Sequence, residues 1–416
     1  MRIFKVVFVL LCALFSSCNQ LKFKVEGRAS SSLEREIEAK LKLLNKPAVK
    51  TIKSEDGDII DCINIYKQHA FNHPALKYHT IQKVPDFLLD SHNSSTFQVF
   101  QTWQKSGSCP EGTVPIRRIR KEDLLRATSL ELFGRKPPIH FINSTNTTNS
   151  NSHEFNGSNT YIPENRSQTY LFTVGYNYIG AEADINVWNP SVDLPNDYTT
   201  AQIWLLANNG PQFLQSVEAG WVVNPKLYGD KATRLFAYWT TDSYKSTGCF
   251  DVTCPGFVQT GQVSLGAALA HISSKRGQQY EINIGMFWDD SGNWWLRVGH
   301  NTPVGYWPAK LFGAAGLSHS AIAVEWGGQV YSPMVKKRPH TRTAMGSGES
   351  AENRWGSACF MRNLRIKDYS QQLKYPSHVN TNAPEPYCYN ILNEAKYGQE
   401  PILYFGGPGQ APPYCP

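Results

Sequence analysis

The second half of this sequence is a succession of short β-rich segments, and this feature constrains the fold more than any other. Ten segments between residues 170 and 366 alternate apolar and polar residues or are rich in β-branched and aromatic residues. Turn sequences such as NNGP (208–211) and DDSGN (289–293) separate them. Many short strands with turns between them predict a mainly β domain, an antiparallel β-sandwich of the jelly-roll type.

The first half contains fewer strand patterns and two helical ones. Residues 30–46 begin with serines that can cap a helix. Apolar side chains follow at helical intervals: Leu33, Ile37, Leu41 and Leu44. Residues 113–116 are extended in pattern, and residues 121–127 predict a second, shorter helix. We therefore predict a small α+β domain ahead of the β-rich half.

The N-terminus has the pattern of a secretory signal peptide. Residues 1–18 contain Arg2 and Lys5, then an apolar run and then small residues. The run is too short to span a bilayer, and no later stretch is long enough to do so. Its ending at Cys18 also resembles a bacterial lipoprotein acceptor site, the less favoured alternative. We expect an exported protein without a membrane anchor after signal removal, located outside the cell, in the cell wall, in a vacuole or in digestive fluid.

Seven cysteines follow the signal peptide, and six of them suit disulfides in an exported protein. The predicted pairs are Cys62 with Cys109, Cys249 with Cys254, and Cys388 with Cys415. Cys359 is left over in a strand-like segment, and we expect it to be a buried free thiol. No Cys/His spacing indicates a zinc site, so neither a metal nor another cofactor is predicted.

An Asn-, Ser- and Thr-rich stretch divides the chain and holds four of five N-glycosylation sequons. The sequons are at Asn93, Asn143, Asn146, Asn156 and Asn165. With little to bury, the stretch is predicted to be a disordered, glycosylated linker. The predicted organisation is a signal peptide (1–18), a pro-domain (19–135), the linker (136–167) and a β-sandwich domain (168–416).

Charge is distributed unequally between these parts. Residues 168–416 hold 18 basic and 18 acidic residues, so the whole net charge of +7 lies in residues 1–167. Scattered Lys and Arg in an exported segment do not indicate nucleic-acid binding, and a solvated surface is the simplest explanation. The alternative that we favour is a detachable pro-segment that packs on acidic groups of the second half.

Two strand segments carry a glutamate between very small residues. In SVEAGWVV, Glu218 shares its strand face with Ser216, Gly220 and Val222, of which only Ser216 and Gly220 stand beside it. In AVEWGG, Glu325 shares its face with Ala323 and Gly327. A lone strand glutamate is usually a solvated surface residue. The repeated pattern instead favours two carboxylates that a folded sheet brings into one groove, with a water molecule between them. Trp221 and Trp326 point the other way and are assigned to the core.

Long stretches of the sequence resemble the neprosin family of plant secreted glutamic peptidases. In the second half these include VEAGWVVNPKLYGDKATRLFAYWTTD (217–242), GCFDVTCPGFVQ (248–259) and FGGPG (405–409). Residues 51–82 and 106–127 resemble the family's activation-peptide domain. The resemblance covers essentially all of residues 168–416.

The resemblance implies the zymogen of a prolyl endopeptidase that works in acid. The family's two catalytic glutamates stand in VEAGW and EWGG, which are Glu218 and Glu325 here. The resemblance also implies the disulfides of the second half. The expected partners are proline-containing peptides or proteins and the chain's own pro-segment in cis.

Two neighbouring carboxylates suggest a metal-free mechanism without an acyl-enzyme. They cannot both ionise cheaply, so they share a proton. One takes a proton from water while the other donates to the substrate carbonyl and then to the leaving nitrogen. Gln202 is a candidate donor to the oxyanion or else a surface amide, and Trp204 stacks on a prolyl ring or else belongs to the core.

Two other functions use similar residues. Jelly-roll glycoside hydrolases also place two glutamates in a Trp-rich cleft. A non-catalytic module that binds carbohydrate or cell wall would carry the glutamates incidentally. An assay with peptides and polysaccharides distinguishes the three: cleavage after proline indicates the peptidase, release of sugar the glycosidase, and binding without turnover the module.

Overall fold

A computed structural model describes residues 32–89, 101–138, 165–208 and 213–416. The predicted signal peptide lies outside these residues, as do the sequons at Asn93, Asn143, Asn146 and Asn156. Asn165 is partly buried. Within the described ranges, none of the helices combines the length and apolar character needed to cross a membrane.

The N-terminal part, here called the pro-domain, is a small α+β unit, as predicted. Helix α1 spans residues 32–44 and buries Ile37 and Leu44, while Leu33 at its start is exposed. The other elements are β1 (Ala48–Lys53), β2 (Ile59–Asn64), β3 (Thr113–Arg117) and α2 (Lys121–Arg126). The three strands pair in the order β1-β2-β3, and all are antiparallel. Residues 127–138 follow α2 and are called the pro-domain tail.

The second part confirms the prediction of a mainly antiparallel β domain. Its strands are β4 (Arg166–Asn186), β5 (Tyr198–Asn208), β6 (Leu214–Val223), β7 (Arg234–Thr240), β8 (Val258–Gln259), β9 (Glu281–Trp288), β10 (Trp294–Val298), β11 (Thr302–Trp307), β12 (Ala321–Tyr331), β13 (Cys359–Asp368), β14 (Leu373–Lys374), β15 (Asn380–Asn382), β16 (Asn390–Glu394) and β17 (Ile402–Gly406). A short helix, α3 (Pro225–Tyr228), follows β6.

The 21-residue strand β4 joins the two layers of the sandwich. Its first half pairs with β12 and β15, and its second half pairs with β9 and β13. The main path of strands is β7-β6-β5-β12-β4-β9-β10-β11-β8. Because β4 changes partners along its length, the sheet folds over and encloses one apolar core between the layers.

Trp221 and Trp326 lie in that core, as predicted. Both are fully buried, and their indole N–H groups donate to main-chain carbonyls of the opposite layer, at Asn186 and Glu182. Burial of a large apolar side chain contributes roughly 1.5–3 kcal/mol. These two residues therefore fix the face of β6 and β12 that points inward, and they leave the glutamates on the other face.

In the part of the chain that the structure describes, the disulfides are the three that the sequence predicts. Cys62 pairs with Cys109 in the pro-domain, and Cys249–Cys254 and Cys388–Cys415 form in the sandwich. Cys359 is a buried free thiol.

Ordered structure extends into both ends of the predicted linker. Lys136 is buried against the sandwich, and β4 already begins at Arg166. The stretch between residues 139 and 164 lies outside the described residues.

Candidate active site

Glu218 and Glu325 lie on one face of the sheet at the same height. Strand β5 separates β6 from β12, and Trp204 on β5 pairs with Glu218 on one side and Glu325 on the other. Directly paired residues point to the same face, and neighbouring strands are about 4.8 Å apart. The two glutamate Cα atoms are therefore about 10 Å apart. This face of β4, β12, β5, β6 and β7 is called the groove.

Two glycines flank Gln202 in the next row of the groove. Gly220 on β6 and Gly327 on β12 both pair with it. A Cβ on Gly220 would lie 2.0 Å from the carbonyl oxygen of Ala201, and one on Gly327 would lie 2.1 Å from the carbonyl oxygen of Thr169. Only glycine fits at either position, because a Cβ would meet the main chain of the neighbouring strand.

Glu218 is fully buried and strongly hydrogen-bonded. Its carboxylate accepts from Gln202 Nε2 at 2.6 Å, Ser216 Oγ at 2.8 Å and Tyr244 Oη at 2.5 Å, and it pairs with the Lys136 ammonium. Burial by itself raises the pKa of Glu218, but the Lys136 charge and the hydrogen bonds outweigh it, so the pKa lies below the usual value. Glu218 is therefore ionised at neutral pH.

Glu325 has the opposite environment. It is partly buried, and no described residue donates a hydrogen bond to its carboxyl group. Burial and the negative charge of Glu218 raise the pKa of Glu325 to about 8. The two carboxyl groups thus differ in protonation at neutral pH, with the proton on Glu325.

Lys136 comes from the pro-domain tail, and sequence reasoning missed it. Its side chain is buried among the rings of Phe236, Tyr238, Tyr244 and Phe250 and reaches Glu218. Burial lowers the pKa of Lys136 to about 8, against the opposing effect of the Glu218 carboxylate. The only signal in the sequence was a lysine ahead of two prolines at the end of the pro-domain.

An apolar interface seats the pro-domain over the groove. It buries Ile37 and Leu44 of α1 and Phe133 of the tail in one cluster with Tyr198 and Phe236 of the sandwich. The pro-domain therefore covers the same face that carries the two glutamates.

Among the described residues, two ion pairs join the domains, with opposite polarity. Lys136 places a pro-domain base on a sandwich acid, as the charge distribution predicts. The pair between Asp58 and Arg234, at 2.5 Å, reverses the roles. Both residues are almost fully buried, and Arg117 of the pro-domain also contacts Asp58 at 3.1 Å. The excess of positive charge in the first half thus accounts for the pair between Lys136 and Glu218 but not for the pair between Asp58 and Arg234.

Gln202 and Trp204 both lie in the groove. Gln202 donates to Glu218, and its Oε1 atom has no hydrogen-bond partner among the described residues. Trp204 is 1% exposed, its ring lies against Tyr170, and its indole N–H is likewise without a partner among them. Tyr244, which lies in the turn after β7, is a further contact of Glu218 that the strand pattern did not predict.

Within the described residues, three or more side chains of metal-ligating types gather at one place. His340, Cys388 and Cys415 bring their ligand atoms within 4.8 Å of one another. Because the two cysteines form a disulfide, they do not offer thiolates to a metal.

These features define a β-sandwich precursor whose N-terminal domain covers a groove with two unlike carboxyl groups. Residues 195–408 match the family model of Neprosin, and residues 51–159 match that of the Neprosin activation peptide. The chain belongs to the Neprosin family, and it is the precursor of a peptidase with its own activation segment in cis.

Solved structures that match part of this chain include two peptidases. Scytalido-glutamic peptidase with a peptide-based transition-state analogue has a TM-score of 0.30 and 10% identity, covering 58% of this chain and 97% of that one. SCP-B, an Eqolisin-family peptidase in complex with the tripeptide Ala-Ile-His, has a TM-score of 0.28 and 9% identity, with coverages of 58% and 97%. A beta-porphyranase from the human gut bacterium Bacteroides plebeius has a TM-score of 0.21 and 7% identity, with coverages of 38% and 54%. At these TM-scores the likenesses carry no argument about this chain.

Proposed function

We propose that this chain is an exported, glycosylated zymogen of an endopeptidase that cleaves after proline in acid, using water activated by Glu218 and Glu325. The observation that carries the proposal is the pair itself. Two glutamates face one groove, and their surroundings shift their pKa values in opposite directions. Such a pair supplies a base and an acid at the same pH.

The roles follow from the surroundings. Glu218 is the general base, because Ser216, Gln202 and Tyr244 continue to stabilise its charge after Lys136 has left. Glu325 is the general acid, because burial keeps it protonated. Attack of water on the carbonyl carbon transfers one proton to Glu218, while Glu325 protonates the carbonyl oxygen. Collapse of the intermediate returns that proton to Glu325, and Glu218 passes its proton to the leaving nitrogen.

Latency follows from the same geometry. The Lys136 ammonium neutralises the base and occupies the position from which Glu218 would reach water. The apolar contacts of Ile37 and Phe133 hold the pro-domain over the groove. The precursor is therefore inactive until the pro-domain moves.

The preference for proline rests on the aromatic lining of the groove. Trp204 lies between the glutamates, and Tyr198 stacks on Tyr331 with ring centroids 5.1 Å apart. Aromatic-lined grooves bind proline-rich segments well, because the pyrrolidine ring is apolar and has no N–H to satisfy. A pair of glutamates alone would give no such preference.

Product analysis tests the proposal. The full chain is incubated in acid and then given capped peptides that differ only in one proline-to-alanine replacement, beside a panel of polysaccharides. We expect cleavage after the proline and none in the alanine peptide. Equal cleavage of the proline and alanine peptides would refute the proposed specificity for proline. Release of sugar from a polysaccharide would refute the peptidase function and support a glycosidase.

A further inference from the structure

The pro-domain tail crosses the groove with its main chain held at three successive points. The carbonyl oxygen of Gly134 accepts from the N–H of Phe250 at 2.7 Å. The N–H of Lys136 donates to the Tyr238 hydroxyl at 3.0 Å. The carbonyl oxygen of Pro137 accepts from Arg166 Nη2. Main-chain contacts of this kind do not depend on the side chains of the bound segment.

All three partners belong to the sandwich. Arg166 begins β4, so it stays with the sandwich if the chain is cut in the preceding stretch. It is 2% exposed, and its guanidinium lies 4.8 Å from the ring centroid of Tyr244, whose hydroxyl donates to Glu218. A buried arginine that is fixed against Tyr244, itself a contact of Glu218, and that donates to a peptide carbonyl has the features of a substrate-binding group.

The residues that the tail places here also fit the groove. Pro137 has no N–H, so it leaves no buried donor unpaired at the position that contacts Arg166. Pro137 and Pro138 line a cavity of about 400 Å³ together with Tyr198, Tyr331 and Phe250. Lys136 at the same time places its charge on Glu218.

We propose that residues 134–138 occupy the groove as a bound peptide substrate does, and that Arg166, Tyr238 and the main-chain N–H of Phe250 are the groups that bind the substrate backbone, with Arg166 on a prolyl carbonyl. This inference rests on the proposed peptidase function and names how that site holds its substrate. The tail resists cleavage because the ammonium of Lys136 occupies the base and the bond after Pro137 leads into a second proline.

The test uses the acid-processed full chain and a capped peptide, ELFGRKPP, that corresponds to residues 131–138. Its dissociation constant is measured by calorimetry and its inhibition constant against a proline-containing substrate. The control peptide has the same residues in reverse order. The variants are Arg166→Gln, Arg166→Lys and Tyr238→Phe, with Arg342→Gln at an exposed site as the matched control.

We expect competitive inhibition, with binding weakened roughly 10- to 100-fold in Arg166→Gln, because a charge-assisted hydrogen bond is lost. Arg166→Lys restores part of the affinity, and Tyr238→Phe weakens it about 2- to 10-fold. The Arg342→Gln enzyme binds as the wild type does. The loss in Arg166→Gln recurs in kcat/KM for the substrate. If Arg166→Gln does not fold, Tyr238→Phe carries the test, since it removes a single hydroxyl.

Equal binding of the forward and reversed peptides, or full affinity in Arg166→Gln and Tyr238→Phe, overturns the inference. Cleavage of substrate by Arg166→Gln at the wild-type rate does so too and leaves the peptidase function standing. If peptide binding depends on Arg166 but the enzyme cleaves no peptide, the assignment of the backbone-binding groups is supported and the proposed peptidase function is refuted.

Discussion

Replacement of Lys136 by methionine should open the precursor. Methionine keeps most of the length and apolar character of the lysine stem but removes the ammonium, so the closed precursor would hold the buried Glu218 carboxylate without its cation. Removal of one partner from a buried ion pair costs about 3–5 kcal/mol. Only the closed state bears this cost, because Glu218 meets water once the pro-domain moves away. At about 1.4 kcal/mol per tenfold, the open fraction rises roughly a hundred-fold to a few thousand-fold.

The assay compares uncut Lys136→Met and wild-type precursors with a quenched fluorescent proline peptide at pH 6–7, before any processing. The effect should shrink as the pH falls, because a protonated Glu218 needs no cation. Lys226→Met is the matched control, since Lys226 also reaches the pro-domain, through Thr128, but touches neither glutamate. The role of Lys136 in latency would be refuted if the Lys136→Met precursor were as inactive toward the peptide as the wild type and were itself cleaved by an added protease at the same rate.

Three further predictions concern stability, pH and the free thiol. Burial and Glu218 raise the pKa of Glu325 to about 8, so Glu325 stays protonated in the fold while the unfolded chain ionises, and stability falls as the pH rises above 4.5. Glu325→Gln should therefore raise stability by roughly 2–4 kcal/mol at pH 8 and have little effect at pH 4, measured by denaturant unfolding; an equal effect at both pH values would contradict the assignment. His79 of the pro-domain contacts the Tyr306 hydroxyl at 2.7 Å, and burial, followed by the Lys310 charge, lowers its pKa. Docking is then favoured while His79 is neutral and weakens as the pH falls below about 6.5. His79→Gln should therefore move the release of the pro-domain to lower pH, as measured by the binding of a dye to the uncovered groove. His378→Gln, at an exposed site, should leave the pH of release unchanged. Burial raises the pKa of the Cys359 thiol well above its usual value, so iodoacetamide should label it only after unfolding; rapid labelling of the native protein would show that the site opens.

The arrangement of the groove could be predicted because it follows from local alternation. A period of two assigns Glu218 and Trp221 to opposite faces of a strand whatever the strand pairs with. The same holds for Glu325 and Trp326. The sequence could not give the strand order, so it did not show that β5 and Trp204 lie between the glutamates.

The contacts that silence the site could not be predicted, because they depend on how two domains dock. Lys136 and Glu218 are 82 residues apart, and Tyr244 reaches Glu218 from a turn rather than from a strand. No periodicity reports such contacts. The net charge of the first half predicted ion pairs of one polarity, whereas the pair between Asp58 and Arg234 depends on the position of each residue in the interface.

The dependence of kcat/KM on pH for a proline-containing peptide, in the processed wild type and in Glu218→Gln and Glu325→Gln, tests the assignment of base and acid most directly. We predict a bell-shaped profile for the wild type, whose acid limb reports Glu218 and whose alkaline limb, at or below about pH 8, reports Glu325. Each variant should fold and lose at least about 100-fold in kcat/KM across the profile. A folded variant of either glutamate that kept more than a tenth of the wild-type kcat/KM, or a profile that lacked the alkaline limb, would contradict the account.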